Sequence, residues 1–195
     1  MLPRDCSLTL ALGALLHDVG KPPTFRRAVD RIRFDQHVLL GTRMAEEICH
    51  RLKFSSEERA QTSALVANHL RWMDVPKMRP ATLKRFLRLE NFPEHMELHR
   101  LDCMSSHRRL ENYDWVRARL EEFSAEDIRP PRLLSGHDLL ALGYPPGPRL
   151  GEILDAVEDA QLEGQLATRE AALDFVQDRK STRLNSSHVS ESRMP

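Results

Sequence analysis

Residues 15–23 read Leu-Leu-His-Asp-Val-Gly-Lys-Pro-Pro, which sets two metal-ligating side chains, His17 and Asp18, side by side at the end of an apolar run. Consecutive helical residues diverge by about 100°, so the two cannot share one helix face. At a helix end the backbone leaves helical geometry, and both can converge on one ion. Gly20 supplies the stop, and Pro22 and Pro23 forbid continuation. Imidazole with carboxylate suits a divalent ion such as Mg, Mn or Ni, and not a structural thiolate zinc site. Such an ion lowers the pKa of a bound water or grips a phosphoryl oxygen. Lys21, next to the pair, and the loop arginines Arg26, Arg27, Arg31 and Arg33 are suited to phosphate oxygens.

Further ligands must come from elsewhere in the chain. Asp102 is the best candidate. It follows Leu101 and lies one turn after Leu98, on the flank of a buried face. A carboxylate there is costly to bury unless it is paired or bound to metal. His37 and His69 come next, each among apolar neighbours on its helix; the competing reading for both is an ordinary core histidine. His95, His99 and Asp102 are spaced i, i+4, i+7 and could form a second metal face. For the two histidines, however, a solvated surface is the simpler reading.

The elements that must position these groups read as helices. Ser7 to Asp18 is a buried helix, and Lys21 to Asp35 is an Arg-rich loop. Gln36 to Lys53 is amphipathic, with Val38, Leu39, Ala45, Ile48 and Leu52 near one stripe. Ser55-x-x-Glu58 is a capping box opening a helix that runs to about Met73. Pro76 and Pro80 bracket a loop before a short basic helix, Ala81 to Leu89. Pro93 sits where a first helical turn tolerates proline, opening a helix from about Glu94 to Ser106. Asn112 to Phe123 is another. Beyond a polar boundary, Ser135 caps a short helix that Gly143 ends. Leu150 to about Leu162 and a last helix capped by Thr168 complete a small module. No stretch shows convincing period-two alternation, so no sheet is expected.

Composition narrows the class. Hydrophobic residues make up 41% and aromatics only 6%, and leucine carries most of the apolar load, which favours helices. The formal net charge is zero, so only local patches bear on nucleic-acid binding. Cys6, Cys49 and Cys103 show no CxxC spacing, which points to a reducing cytoplasm. The run Leu8 to Leu16 is too short to span a bilayer and lacks the flanks of a signal peptide, so no membrane role is expected.

Leu16-His17-Asp18-Val19-Gly20-Lys21 with a distant Asp102 resembles the HD superfamily of metal-dependent phosphohydrolases. Phe34-x-x-His37-x-x-x-Gly41, Leu65-Val66-Ala67-Asn68-His69 and Leu98-His99-Arg100-Leu101-Asp102-Cys103 look like the HD-containing body of bacterial CCA-adding tRNA nucleotidyltransferases of the poly(A) polymerase family. So does Pro131-Arg132-Leu133-Leu134-Ser135-Gly136-x-Asp138-Leu139 with Gly143-x-Pro145-Pro146-Gly147-Pro148. The resemblance covers roughly Leu8 to Gln177. It implies an all-α fold with an HD-type domain over residues 1–124 and a small RNA-binding-type helical module over 125–180.

Residues 181–195 carry no periodicity and no caps. They are expected to be disordered, and they resemble translated sequencing-adapter read-through, which marks them as a non-native tail.

The resemblance implies His17, Asp18 and Asp102 as metal ligands, His37 and His69 as holders of a second ion, and Asp18 and Lys21 in the chemistry, with Lys21 on phosphate. It implies tRNA or another RNA or nucleotide phosphoester as partner. Two departures stand out. The family's glycine-rich nucleotidyltransferase head does not precede Ser7, so nucleotide addition is not expected of this chain. The family's upstream histidine is also absent, since no histidine precedes His17; the expected site is one ligand short, as in a truncated fragment. Three functions follow: the HD and tRNA-binding body of a CCA-adding enzyme, a non-catalytic tRNA-binding or structural remnant, or a stand-alone HD phosphohydrolase acting on nucleotides.

Overall fold

Ser7 starts the first helix, α1 (Leu8–Leu16), by accepting the Leu10 N–H on its hydroxyl at 3.1 Å. That bond satisfies one of the donors a helix start leaves without an intrahelical partner. The structure is a computed structural model and describes residues 2–188. After α1 come a short helix α2 (Lys21–Thr24), strands β1 (Arg26–Arg27) and β2 (Ile32–Arg33), then α3 (His37–Arg51) and α4 (Ser56–Asn68). A 3₁₀ segment (His69–Lys77) leads to α5 (Pro80–Leu87), α6 (Phe92–Ser105), α7 (Glu111–Glu122) and α8 (Ala125–Ile128). The chain then forms α9 (Gly136–Ala141), α10 (Pro148–Leu162) and α11 (Arg169–His188). The architecture is all-α, as expected. No helix among the described residues is long and apolar enough to cross a membrane.

The chain divides into two compact units: residues up to Lys77 with Leu87–Glu122, and Met78–Phe86 with the residues from Phe123 onward. In the first unit α4 packs against α1, α3 and α6. Its start is the expected capping box, in which Ser55 Oγ accepts the Glu58 N–H at 3.2 Å and Glu58 accepts the Ser55 N–H at 2.8 Å. One part of the core gathers Leu16, Ala45, Cys49 and Val66; another gathers Leu10, Leu65 and Leu98.

Glu94 is buried in the first turn of α6. Its carboxylate accepts from Ser7 Oγ, from Thr9 Oγ1 at 2.8 Å and from Gln61 Nε2 at 3.0 Å. A buried carboxylate is tolerated only when its oxygens are satisfied in this way. The network pins α1 and α4 to α6, so it sets the distance between the helices that carry His17 and Asp102.

In the second unit Ser135 and Asp138 form a capping box at α9. Leu134, Leu139, Tyr144, Val157, Ala172 and Val176 form the core, and the Tyr144 hydroxyl donates to the Val176 carbonyl at 3.0 Å. Arg85 of α5 pairs with Glu158 at 2.9 Å and with Asp159 on α10. The short basic helix read from the sequence thus turns this arginine to intramolecular carboxylates.

Several expectations are corrected. Lys21 to Asp35 is not a plain loop. Pro22 and Pro23 fall in the first turn of α2, where a proline's missing N–H costs nothing. β1 and β2 pair antiparallel, Arg26 with Arg33 and Arg27 with Ile32, although no sheet was expected. Two residues per strand are too few to produce a legible alternation. The helix expected to reach Met73 tightens to 3₁₀ at His69. α11 continues to His188, into the stretch expected to be disordered, and residues 189–195 lie outside the described residues.

Candidate metal centre

Three histidines reach one place from three helix ends. His17 is the C-cap of α1, His37 is the first residue of α3, and His69 is the C-cap of α4. Each directs Nδ1 to the backbone carbonyl three residues earlier: Ala14 at 3.0 Å, Phe34 at 2.8 Å and Val66 at 2.7 Å. A carbonyl can only accept, so Nδ1 carries the proton and the neutral ring presents its lone pair on Nε2. For His17 and His69 the carbonyl belongs to a helix's last turn, where it has no intrahelical partner. The His69 ring sits between the other two, with centroids 5.4 Å from His17 and 5.6 Å from His37.

Asp18 faces all three. Its Oδ1 lies 3.8 Å from His37 Nε2 and 3.7 Å from His69 Nε2. Its Oδ2 lies 3.4 Å from His17 Nε2 and accepts from Lys21 Nζ at 2.6 Å. Asp102, on the last turn of α6, brings Oδ1 to 3.7 Å from His17 Nε2. His17, Asp18, Lys21, His37, His69 and Asp102, the site residues the resemblance implies, thus come to one place. Asp18, His37 and His69 form the tightest group, with one ligand atom from each within 4.8 Å of the others.

Nε2 of His37 and Nε2 of His69 are buried without a hydrogen-bond partner. A buried polar atom left unsatisfied costs roughly 1–3 kcal/mol. At 3.7–3.8 Å neither bonds to Asp18. Two ligands each about 2.1 Å from one ion and about 110° apart are themselves about 3.4 Å apart. The observed separations are close to that, so this donor set could hold a divalent ion. The Nδ1 bonds are the outer-sphere contacts that orient ligating histidines.

Electrostatics divide the histidines. Burial lowers the His69 pKa below the ordinary histidine value, which keeps Nε2 unprotonated near neutrality. The Asp102 carboxylate raises the His17 pKa against the opposing effect of burial, and His17 in turn lowers that of Asp102. When His17 is protonated, it pairs with Asp102 across 3.7 Å. The Lys21 ammonium also stands 5.8 Å from the ring centroid of Phe34, the residue whose carbonyl holds His37.

Gly20 plays a different part from the expected helix stop. Its φ of −78° is open to any residue. A Cβ there would meet the His37 carbonyl oxygen at 2.1 Å and the Gly41 nitrogen at 2.8 Å. The glycine lets the backbone after Asp18 touch the start of α3, and so lets His37 reach Asp18. His95 and His99 are corrected as well. His95 is buried, and His99 stacks on Trp72 with centroids 4.5 Å apart. Neither is solvated surface, and neither joins the Asp18 group. The parts that sequence reasoning missed are backbone: the carbonyls of Ala14, Phe34 and Val66, and the Gly20–Gly41 contact. The recurring i−3 carbonyl at a helix end was the available signal.

The model of the tRNA nucleotidyltransferase domain 2 family matches residues 37–176. An A-adding tRNA nucleotidyltransferase of Deinococcus radiodurans is 34% identical over 185 residues, covering 89% of this chain and 42% of that protein. A CC-adding tRNA nucleotidyltransferase of Thermus thermophilus is 35% identical over 178 residues, covering 88% of this chain and 40% of that protein. The chain thus spans about two fifths of the length of these curated relatives. No solved structure matches it.

Proposed function

Because the chain belongs to the tRNA nucleotidyltransferase domain 2 family, we propose that it is the tRNA-binding helical body of a protein of that kind and carries an HD-type, metal-dependent phosphohydrolase centre. The observation that supports this is the convergence of two unpartnered, buried Nε2 atoms, from His37 and His69, on the Asp18 carboxylate. Asp18, His37 and His69 would hold the ion, with His17 and Asp102 completing the set on the other side of the Asp18 carboxylate. A divalent ion there supplies Lewis acidity to a phosphoryl oxygen and to an attacking water.

The chain's own groups do the rest. Asp18 stands between the ligand histidines and Lys21, one oxygen toward each side. Lys21 is half-exposed and can exchange Asp18 for a phosphate oxygen, neutralising part of the charge of the phosphoester. The Nδ1 bonds keep the rings from turning, so the ligand lone pairs are aimed before substrate arrives. A phosphodiester at an RNA end, such as a 2′,3′-cyclic phosphate, is the substrate class.

One contact favours a second reading, a tRNA-binding body without catalysis. Lys21 at 2.6 Å already gives Asp18 a cation. The two readings separate in one experiment. Calorimetric titration with Mn²⁺ is expected to show binding that His37→Ala and His69→Ala each weaken by tenfold or more. Both variants should also lose hydrolysis of 2′,3′-cyclic AMP. Unchanged metal binding in both would remove the centre and leave the second reading.

A further inference from the structure

We infer a binding pocket for the base of a nucleotide in the groove between α1 and α6, beside the His17–Asp102 pair; the inference rests on the phosphoester reading of the adjoining centre. α1 supplies Ala14 and His17 to this groove. α6 supplies Leu98, Leu101, Asp102 and Ser105, spaced so that all four lie on one helix face. Together with Leu2 they line a cavity of about 200 Å³.

The cavity and the metal centre share two side chains, His17 and Asp102. A phosphoester seated at the centre can therefore extend its organic part past His17 and Asp102 into this groove. The walls suit a flat ring, because Ala14, Leu98 and Leu101 are apolar and fixed by the helix–helix packing that Glu94 pins. Polar groups for a heterocycle are at hand, because Asp102 and Ser105 also line the cavity. Ser105 Oγ donates to the Asp102 carbonyl at 2.9 Å and so keeps its lone pairs for a ligand N–H. Apolar walls with a few convergent polar groups are the usual make-up of a small-molecule site.

Size sets the occupant. The cavity is smaller than the roughly 300–1,000 Å³ that holds a drug-sized ligand, so it takes one ring system. Ala14 contributes only a methyl group to the lining. A longer side chain at that position would fill the cavity.

Two phosphomonoesters with the same charged end test this, adenosine 3′-monophosphate and glycerol 3-phosphate. Each is titrated calorimetrically into the full 195-residue chain with Mn²⁺. The nucleotide is expected to bind at least tenfold more tightly. Ala14→Met, which fills the groove from α1, should bring the ratio to within threefold. So should Ser105→Leu, which crowds the groove from α6 at an exposed position and spares the core. Equal affinities in the unmodified chain, or a ratio that survives both variants, would overturn the pocket. Glycerol 3-phosphate binding as well as the nucleotide would overturn the pocket alone. Binding of neither ligand would overturn the pocket together with the phosphoester reading. A tenfold ratio in the unmodified chain that both variants abolish, without hydrolysis of 2′,3′-cyclic AMP, would support the pocket and overturn only the hydrolytic reading.

Discussion

At residue scale, the geometry of the centre depends on a position that carries no chemistry. Gly20 has no side chain to contribute, yet the His37 carbonyl occupies the space its Cβ would need, at 2.1 Å. The obstructing atom is backbone, so it cannot swing aside like a side-chain tip. Replacing glycine by alanine removes freedom from the unfolded chain and by itself stabilises by about 0.4–1 kcal/mol. Overpacking of a fitted contact costs about 1–3 kcal/mol, and more where backbone must move. The clash wins. Gly20→Ala is expected to lower stability by about 2 kcal/mol in denaturant titration, and to weaken Mn²⁺ binding by pushing His37 away from Asp18. A variant with unchanged midpoint and unchanged metal affinity would show that the Gly20–Gly41 contact is not what positions His37. His17, Asp18 and Lys21 were legible in the sequence because their chemistry is in their side chains. The role of Gly20 was not, because a close approach between segments some 20 residues apart leaves no local mark.

At the scale of an element, α6 shows how one helix gives its titratable residues different fates. Asp102 faces the centre, His99 stacks on Trp72, and His95 is buried with its Nε2 unpartnered. Burial holds the pKa of His95 and of His99 at about 4, below the ordinary 6.5. The sign of the consequence follows from proton counting. Between pH 6.5 and 4 the unfolded chain binds protons that the folded chain does not, so stability is full above pH 6.5 and falls as the pH drops through that window. A shift of this size corresponds to about 3 kcal/mol for the buried His95. Thermal melts from pH 7 to pH 4.5 should therefore show falling stability. His95→Leu should flatten part of that slope, whereas an identical slope in the variant would place the proton uptake elsewhere. The i, i+4, i+7 spacing was visible in the sequence, but which side of α6 meets the 3₁₀ segment was not. Helix starts fared better: Ser55, Ser135 and Thr168 cap as expected, because a cap is a contact across three residues.

At the scale of the whole molecule, zero net charge means that the proposed tRNA binding would have to come from particular surfaces. Many of the arginines are already engaged with carboxylates, among them Arg85, Arg100, Arg117, Arg119 and Arg169. The ribbon of β1 and β2 is the exception in density, since it carries Arg26, Arg27, Arg31 and Arg33 within eight residues. It joins α2, which begins at Lys21, to α3, which begins at His37, so it springs from the rim of the centre. Its ion pairs to Asp30 and Asp35 are largely exposed, and such pairs contribute about 0–1 kcal/mol. Phosphates can replace those carboxylates at little cost. If the ribbon tracks an RNA backbone with four arginines, the logarithm of the tRNA affinity should fall with the logarithm of salt at a slope of about −3 to −4. Filter binding across 50–200 mM salt measures this, and chelator should leave the slope in place because the arginines act without metal. Arg27→Ala and Arg31→Ala should each reduce the slope by about 1 and weaken all tRNA sequences alike. A slope indifferent to both substitutions would remove the ribbon from the interface, and an affinity indifferent to salt would count against the proposed RNA binding itself.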